Sequence, residues 1–138
     1  MQEWNTPEYR TAMEADYERI RIKHPGLVTC RFECYSGWFP IIEEYLDEVA
    51  RLLVESPGGS FSMWQAKEKF GGLSLYAGTS ADISEGVRAA YARAEDEAER
   101  TCEVCGQPGV LRQRGHWFMT RCDEHADGGE PVPEDGGQ

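Results

Sequence analysis

The feature that most constrains this chain lies near its end. Cys102-x2-Cys105 is followed, after sixteen residues, by Cys122-x2-His125. Each close pair can wrap a tight knuckle around one ion, and Gly106 gives the first knuckle the freedom to turn. Together they offer three sulfurs and one nitrogen, a donor set that zinc takes in tetrahedral geometry. Iron is the alternative ion. The residues between the pairs suit a hairpin. Val110-Leu111-Arg112 and Trp117-Phe118-Met119 can be strands, with Gln113-Arg114-Gly115 near the turn. Four protein ligands leave no position for water, so the expected ion is one structural Zn2+. The second ring nitrogen of His125 needs a partner, and Asp123 and Glu124 are near in sequence.

Upstream, hydrophobic periodicity sets the elements. Thr6-Pro7 opens a helix carrying Tyr9, Met13, Tyr17 and Ile20, and His24-Pro25-Gly26 ends it, with His24 complementing the dipole of the last turn. Residues 27–35 alternate as a half-buried strand, with Val28, Cys30, Phe32 and Cys34 on one side. Cys30 and Cys34 would then lie about 13 Å apart, too far for a disulfide. Trp38, Ile42, Tyr45, Leu46, Val49, Leu52 and Leu53 mark a second helix, with Trp38 in the core, Phe39 partly exposed and Pro40 in the first turn. Residues 61–67 and 73–78 read as a hairpin joined by a loop over 67–72. Asp82-Ile83-Ser84-Glu85 suggests a capping box for a third helix bearing Ile83, Val87, Ala90, Tyr91, Ala94 and Ala98.

The expected class is therefore α+β. Three helices pack on a three-stranded, mainly antiparallel sheet over 1–101, and a zinc-ribbon-like hairpin over 102–125 packs on that unit. Residues 126–138 are rich in Gly, Pro and acid. Asp127, Glu130, Glu134 and Asp135 have no base nearby in sequence, and an acidic disordered tail is expected there.

The formal net charge is −11. That argues against nucleic acid, whose phosphates need Lys and Arg, and suits a basic protein surface. No run approaches the ~20 apolar residues of a membrane helix, and no signal peptide is visible, so a cytoplasmic protein without membrane contact is expected. Five cysteines in that setting point to metal or core packing before disulfides.

Two surfaces are candidates for contacting a partner. Glu43, Glu44, Asp47 and Glu48 line the outer face of the second helix. Lys67, Lys69 and Phe70 would tip the hairpin, and only Lys23 adds a third lysine. In the ribbon, Arg112, Arg114 and Arg121 are offset by Glu103, Asp123 and Glu124. Trp117 and Phe118 could stack on bases but are expected to pack over the metal ligands or the third helix, and His116 is expected at the surface. No Ser–His–Asp or Cys–His nucleophile arrangement stands out.

Three blocks taken together resemble a family of small phage and prophage proteins: Gly37-Trp38-Phe39 with Ile42, Gln65-Ala66-Lys67-Glu68-Lys69-Phe70-Gly71-Gly72-Leu73, and Cys102-Glu103-Val104-Cys105-Gly106 with Pro108-Gly109, Trp117 and Cys122-Asp123-Glu124-His125. The resemblance spans residues 27–125, and Ser74 departs from the basic residue the family pattern has there. It brings no established activity; it implies an accessory gene of a mobile element. The expectation that follows is a non-catalytic, zinc-stabilised protein that binds a host protein, its sharpest version being an inhibitor of a defence system such as a CRISPR effector. A nucleic-acid-binding regulator using the ribbon with Lys67 and Lys69, and a metal-dependent enzyme, are the alternatives. The partner and the oligomeric state are not specified.

Overall fold

A computed structural model describes residues 2–133. Helix α1 (Pro7–Lys23) starts where Thr6 accepts the Tyr9 N–H at 3.0 Å, with Pro7 in the first turn. It buries only Tyr17 and Ile20. His24 caps its C-terminus and is itself buried, with Nε2 2.7 Å from Asp47 Oδ1. That contact ties α1 to the second helix, beyond the dipole role expected for His24.

The strand expected over 27–35 contracts to β1 (Phe32–Glu33) and a bridge from Val28 to Met63. The alternation survives: Val28, Phe32 and Cys34 are buried, while Thr29, Arg31 and Glu33 are exposed. One neighbouring strand on one side supports only this short ladder. A 3₁₀ turn (Ser36–Trp38) then leads into α2 (Phe39–Glu55). Trp38 is fully buried as expected; Phe39, expected to be partly exposed, is only 2% exposed. It meets Phe32 edge-on, with ring centroids 5.2 Å apart.

Strands β2 (Phe61–Lys69) and β3 (Gly72–Thr79) form the longest ladder. β1 pairs parallel to β2, and β2 antiparallel to β3, giving a mixed sheet in the order β1-β2-β3. A bulge at Trp64 lets Met63 and Ala66, three residues apart, both face the core while Trp64 stays exposed. The connection is shorter than the six-residue loop expected. Lys67, Glu68 and Lys69 lie within β2, and only Phe70 and Gly71 turn, with φ of +53° and +86°. Two positive φ values match the twist of the flanking strands, as in type I′ hairpins.

Helix α3 (Ala81–Ala98) buries Ile83, Val87, Ala90, Ala94 and Ala98. The expected capping box does not form. Ser80 precedes the helix, and its hydroxyl accepts the Ser60 N–H at 2.8 Å, closing the loop before β2. The in-facing residues of β2 and β3 and the apolar stripes of the three helices share one core.

The second sheet is the ribbon. β4 (Val110–Arg114) and β5 (Trp117–Arg121) pair along their length, and the turn falls at Gly115-His116. The disordered tail expected from Ala126 is corrected as far as Pro133. β6 (Glu130–Pro131) adds an antiparallel strand to β4, and Val132 N–H donates to the Leu111 carbonyl at 2.9 Å. Pairing with an open edge satisfies backbone groups that composition alone leaves to solvent. The expectation for 134–138 lies outside the described residues.

Candidate metal centre

The four residues singled out by spacing converge. Cys102, Cys105, Cys122 and His125 present Sγ and Nδ1 atoms that all lie within 4.8 Å of one another. Cys105 Sγ and Cys122 Sγ are 3.7 Å apart. His125 Nδ1 is 3.3 Å from Cys122 Sγ and 3.8 Å from Cys102 Sγ. Four ligands around a tetrahedral ion with metal–sulfur bonds near 2.3 Å place sulfurs about 3.8 Å apart. The cluster has those dimensions, so these residues could hold one metal ion.

Local backbone builds each knuckle. Cys102 lies a few residues beyond the end of α3, its N–H donates to the Gln107 carbonyl at 2.7 Å, and Gly106 returns an N–H to the Cys102 carbonyl at 2.9 Å. Gly106 has φ of +82°, a conformation glycine adopts without steric cost. On the other side, a 3₁₀ turn (Asp123–His125) swings the imidazole back, and His125 N–H donates to the Cys122 carbonyl.

The thiols differ. Burial pushes Cys102 up, but N–H groups of Cys122, Cys105 and Val104 point at its sulfur and bring it below the ordinary value. Cys105 is pushed up to about 11, by burial first and then by the Cys102 and Cys122 thiols. Three thiols in one cluster cannot all ionise without a cation, so metal binding and proton release are one event.

A shell of residues that sequence reasoning missed surrounds the cluster. Tyr9 donates to the Val104 carbonyl at 2.8 Å and accepts from Ser36 N–H. Gly37 N–H donates to the Glu103 carbonyl at 2.8 Å, and Trp38 Nε1 to the Thr101 carbonyl at 2.9 Å. A Cβ at Gly37 would sit 2.3 Å from the Cys102 oxygen, so only glycine fits there. Trp4 meets the His125 ring edge-on and donates to Asp127 at 3.1 Å. Asp127, expected to have no base, pairs with buried Arg121 at 2.6 Å. Glu103 is buried too, and accepts from Tyr35 N–H. Its carboxyl is pushed up to about 7, chiefly by burial and further by Glu68, against the pull of Arg121. These contacts span up to 123 residues and leave no local signature. Asp123, offered as a partner for His125, pairs with Arg112 at 2.6 Å instead.

Arg112 and Arg121 are buried and turned inward, and Arg114 donates to the Asp127 carbonyl. Trp117, expected to pack over the ligands or α3, is 70% exposed. His116 is exposed. The acidic face of α2 is largely engaged within the chain. Glu43 pairs with Arg19 and Lys23, Asp47 with Lys23 and His24, and Glu48 with Arg51. Glu44 remains exposed and raises the neighbouring Glu97 carboxyl, after burial of that group. Lys67 and Lys69 sit on β2, Lys67 opposite Ser74 and beside Glu33, and Phe70 projects from the turn.

Comparison with protein-family models, curated proteins and solved structures finds no match. No helix among the described residues is long and apolar enough to cross a membrane.

Proposed function

We propose that this chain is a non-catalytic binding protein, stapled by one zinc ion, that serves a phage or other mobile element in the cytoplasm by engaging a host protein. The carrying observation is the donor set: three sulfurs and one imidazole nitrogen at tetrahedral spacing. Zinc favours those ligands, and four of them complete its shell, with no position for a substrate or an activated water. The ion then acts on folding. It holds the end of α3, the N-terminal segment and the ribbon around one point.

The cytoplasmic setting is supported by cysteine usage, since all five thiols are free and reducing conditions keep thiolates available to metal. The −11 charge supports a basic protein partner. A nucleic-acid role for the ribbon has less support, because Arg112 and Arg121 are buried, and Arg112 and the Arg121 Nη1 donate to groups within the chain. Inhibition of a host defence effector is the version in which the exposed acids occupy a basic channel.

The test is capture from host lysate by metal-loaded protein at physiological salt, before and after nuclease. A host protein retained after nuclease is the expected result. Recovery of nucleic acid alone, or an exchangeable water on the ion by X-ray absorption, ends this reading.

A further inference from the structure

The turn of the sheet hairpin is built to hold an aromatic ring in solvent. Phe70 has φ of +53° and is 76% exposed. Neither feature favours folding: a residue other than Gly, Asn or Asp is strained at positive φ, and an exposed phenyl ring gains nothing from burial. Its neighbour is pinned from three sides. Gly71 N–H donates to Glu68 Oε2 at 2.7 Å, its carbonyl accepts from Thr120 Oγ1 at 2.7 Å, and a Cβ there would lie 2.6 Å from Leu111 Cδ1. The ring therefore projects from a rigid base.

Phe70 overhangs a groove of about 1130 Å³ along the ribbon. Val110, Leu111, Pro131 and Val132 contribute to its lining, with Val110 47% and Leu111 37% exposed. At its rim Arg100 is held by Asp96, and Asp123 balances Arg112. Glu99 and Glu124 line the groove and hold no ion pair among the described residues. Pro133 also lines it.

The geometry points to this groove as the docking site for a basic amphipathic segment of a partner protein. Phe70 and the ribbon side chains take its apolar face, and Glu99 and Glu124 meet its cations. This assignment rests on the protein-binding reading above and names the surface and chemistry of the contact. Its energetic logic is that of a hot spot: a rigid aromatic anchor beside an apolar floor, with charges at the rim.

The probe is a synthetic peptide of about 18 Leu and Lys residues with Leu at i, i+3, i+4 and i+7. Comparisons are a scrambled Leu/Lys peptide of the same composition and a Leu/Glu peptide of the first pattern. Binding to the full, metal-loaded chain is measured by calorimetry at about 0.15 M salt. The amphipathic Leu/Lys peptide should bind at least tenfold more tightly than either comparison. Phe70→Asn and Val110→Ser should each remove that margin, while Trp64→Ser, outside the groove, should keep it. Asn tolerates positive φ, so Phe70→Asn should fold with unchanged metal content and a melting midpoint no lower than that of the wild type. Equal affinity for the scrambled peptide would reduce the effect to net charge and overturn the assignment. So would an unchanged margin in Phe70→Asn, or a dimer in sedimentation that Phe70→Asn dissociates, which would make a second copy the occupant. If whole-chain capture of a host protein persists through such a failure, the groove is wrong and the protein-binding reading stands.

Discussion

Thr120 and Gly71 join the two sheets of this protein. The buried Thr120 hydroxyl donates to the Gly71 carbonyl at 2.7 Å, across 49 residues of chain. One step back along the same path, Glu103 N–H donates to the Thr120 carbonyl at 3.0 Å. The metal knuckle, the ribbon and the tip of the sheet hairpin thus form one hydrogen-bonded chain, and disturbing the knuckle should be felt at the hairpin.

Metal removal tests that linkage. One equivalent of zinc per chain is expected by elemental analysis. A chelator at neutral pH should lower the melting temperature by more than about 10 °C, since structural zinc contributes several kcal/mol and each kcal/mol moves the midpoint of a domain this size by a few degrees. Cys122→Ser should reproduce the loss. An unchanged melting curve with full metal release would separate the ion from folding.

Gly37→Ala should cost about 2–4 kcal/mol, because its Cβ collides with the carbonyls of Cys102 and Glu103, backbone atoms that cannot rotate away. Gly58→Ala is the control. No atom lies within 4 Å of its Cβ, so its midpoint in urea should move little.

Arg121→Ala should cost about 3–5 kcal/mol. It strands the Asp127 carboxylate, which is as buried as the guanidinium that faces it, and removes the cation lying over the Trp4 ring at 5.4 Å. Pairing it with Asp127→Asn should recover part of that loss in denaturant titrations. Purely additive costs would mean the two residues do not act as a pair.

Glu43 supplies a pH-dependent term. Hydrogen bonds from Arg19, then Lys23, hold its carboxyl at about 2, below the ordinary 4.5. A lowered native pKa stabilises the folded state above the unfolded value, and the effect disappears as pH falls from about 5 to about 2. Glu43 retains 16% exposure, but Arg19 and Lys23 are about half exposed, so screening reduces the effect to about 1 kcal/mol. The stability gap between wild type and Glu43→Gln should therefore be present at pH 7 and largely lost near pH 2. A constant gap would indicate lost packing rather than lost charge.

Much of this molecule was legible before folding. Thr6-Pro7 marks the start of α1 because a hydroxyl cap and a fixed φ act within one turn. The ligand set is readable because two residues between donors is the reach of one knuckle. The remainder depends on which neighbour lies opposite. Phe32 packs edge-on against Phe39, which is buried, the Ser80–Ser60 bond stands in place of the capping box, and Glu130–Pro131 find a partner strand in β4.

By itself, then, the sequence determined what acts over a few residues: the periodicity of three helices, the alternation at Phe32 and Cys34, the glycines at the turns, and four donors spaced for one ion. Only the tertiary structure decided that Arg112 and Arg121 point inward, that the acids of α2 are mostly paired, and that Trp4 closes over His125. Those outcomes depend on which distant side chain lies opposite. Charge and burial are properties of a pair in space, and no residue carries its partner's identity in its own letter.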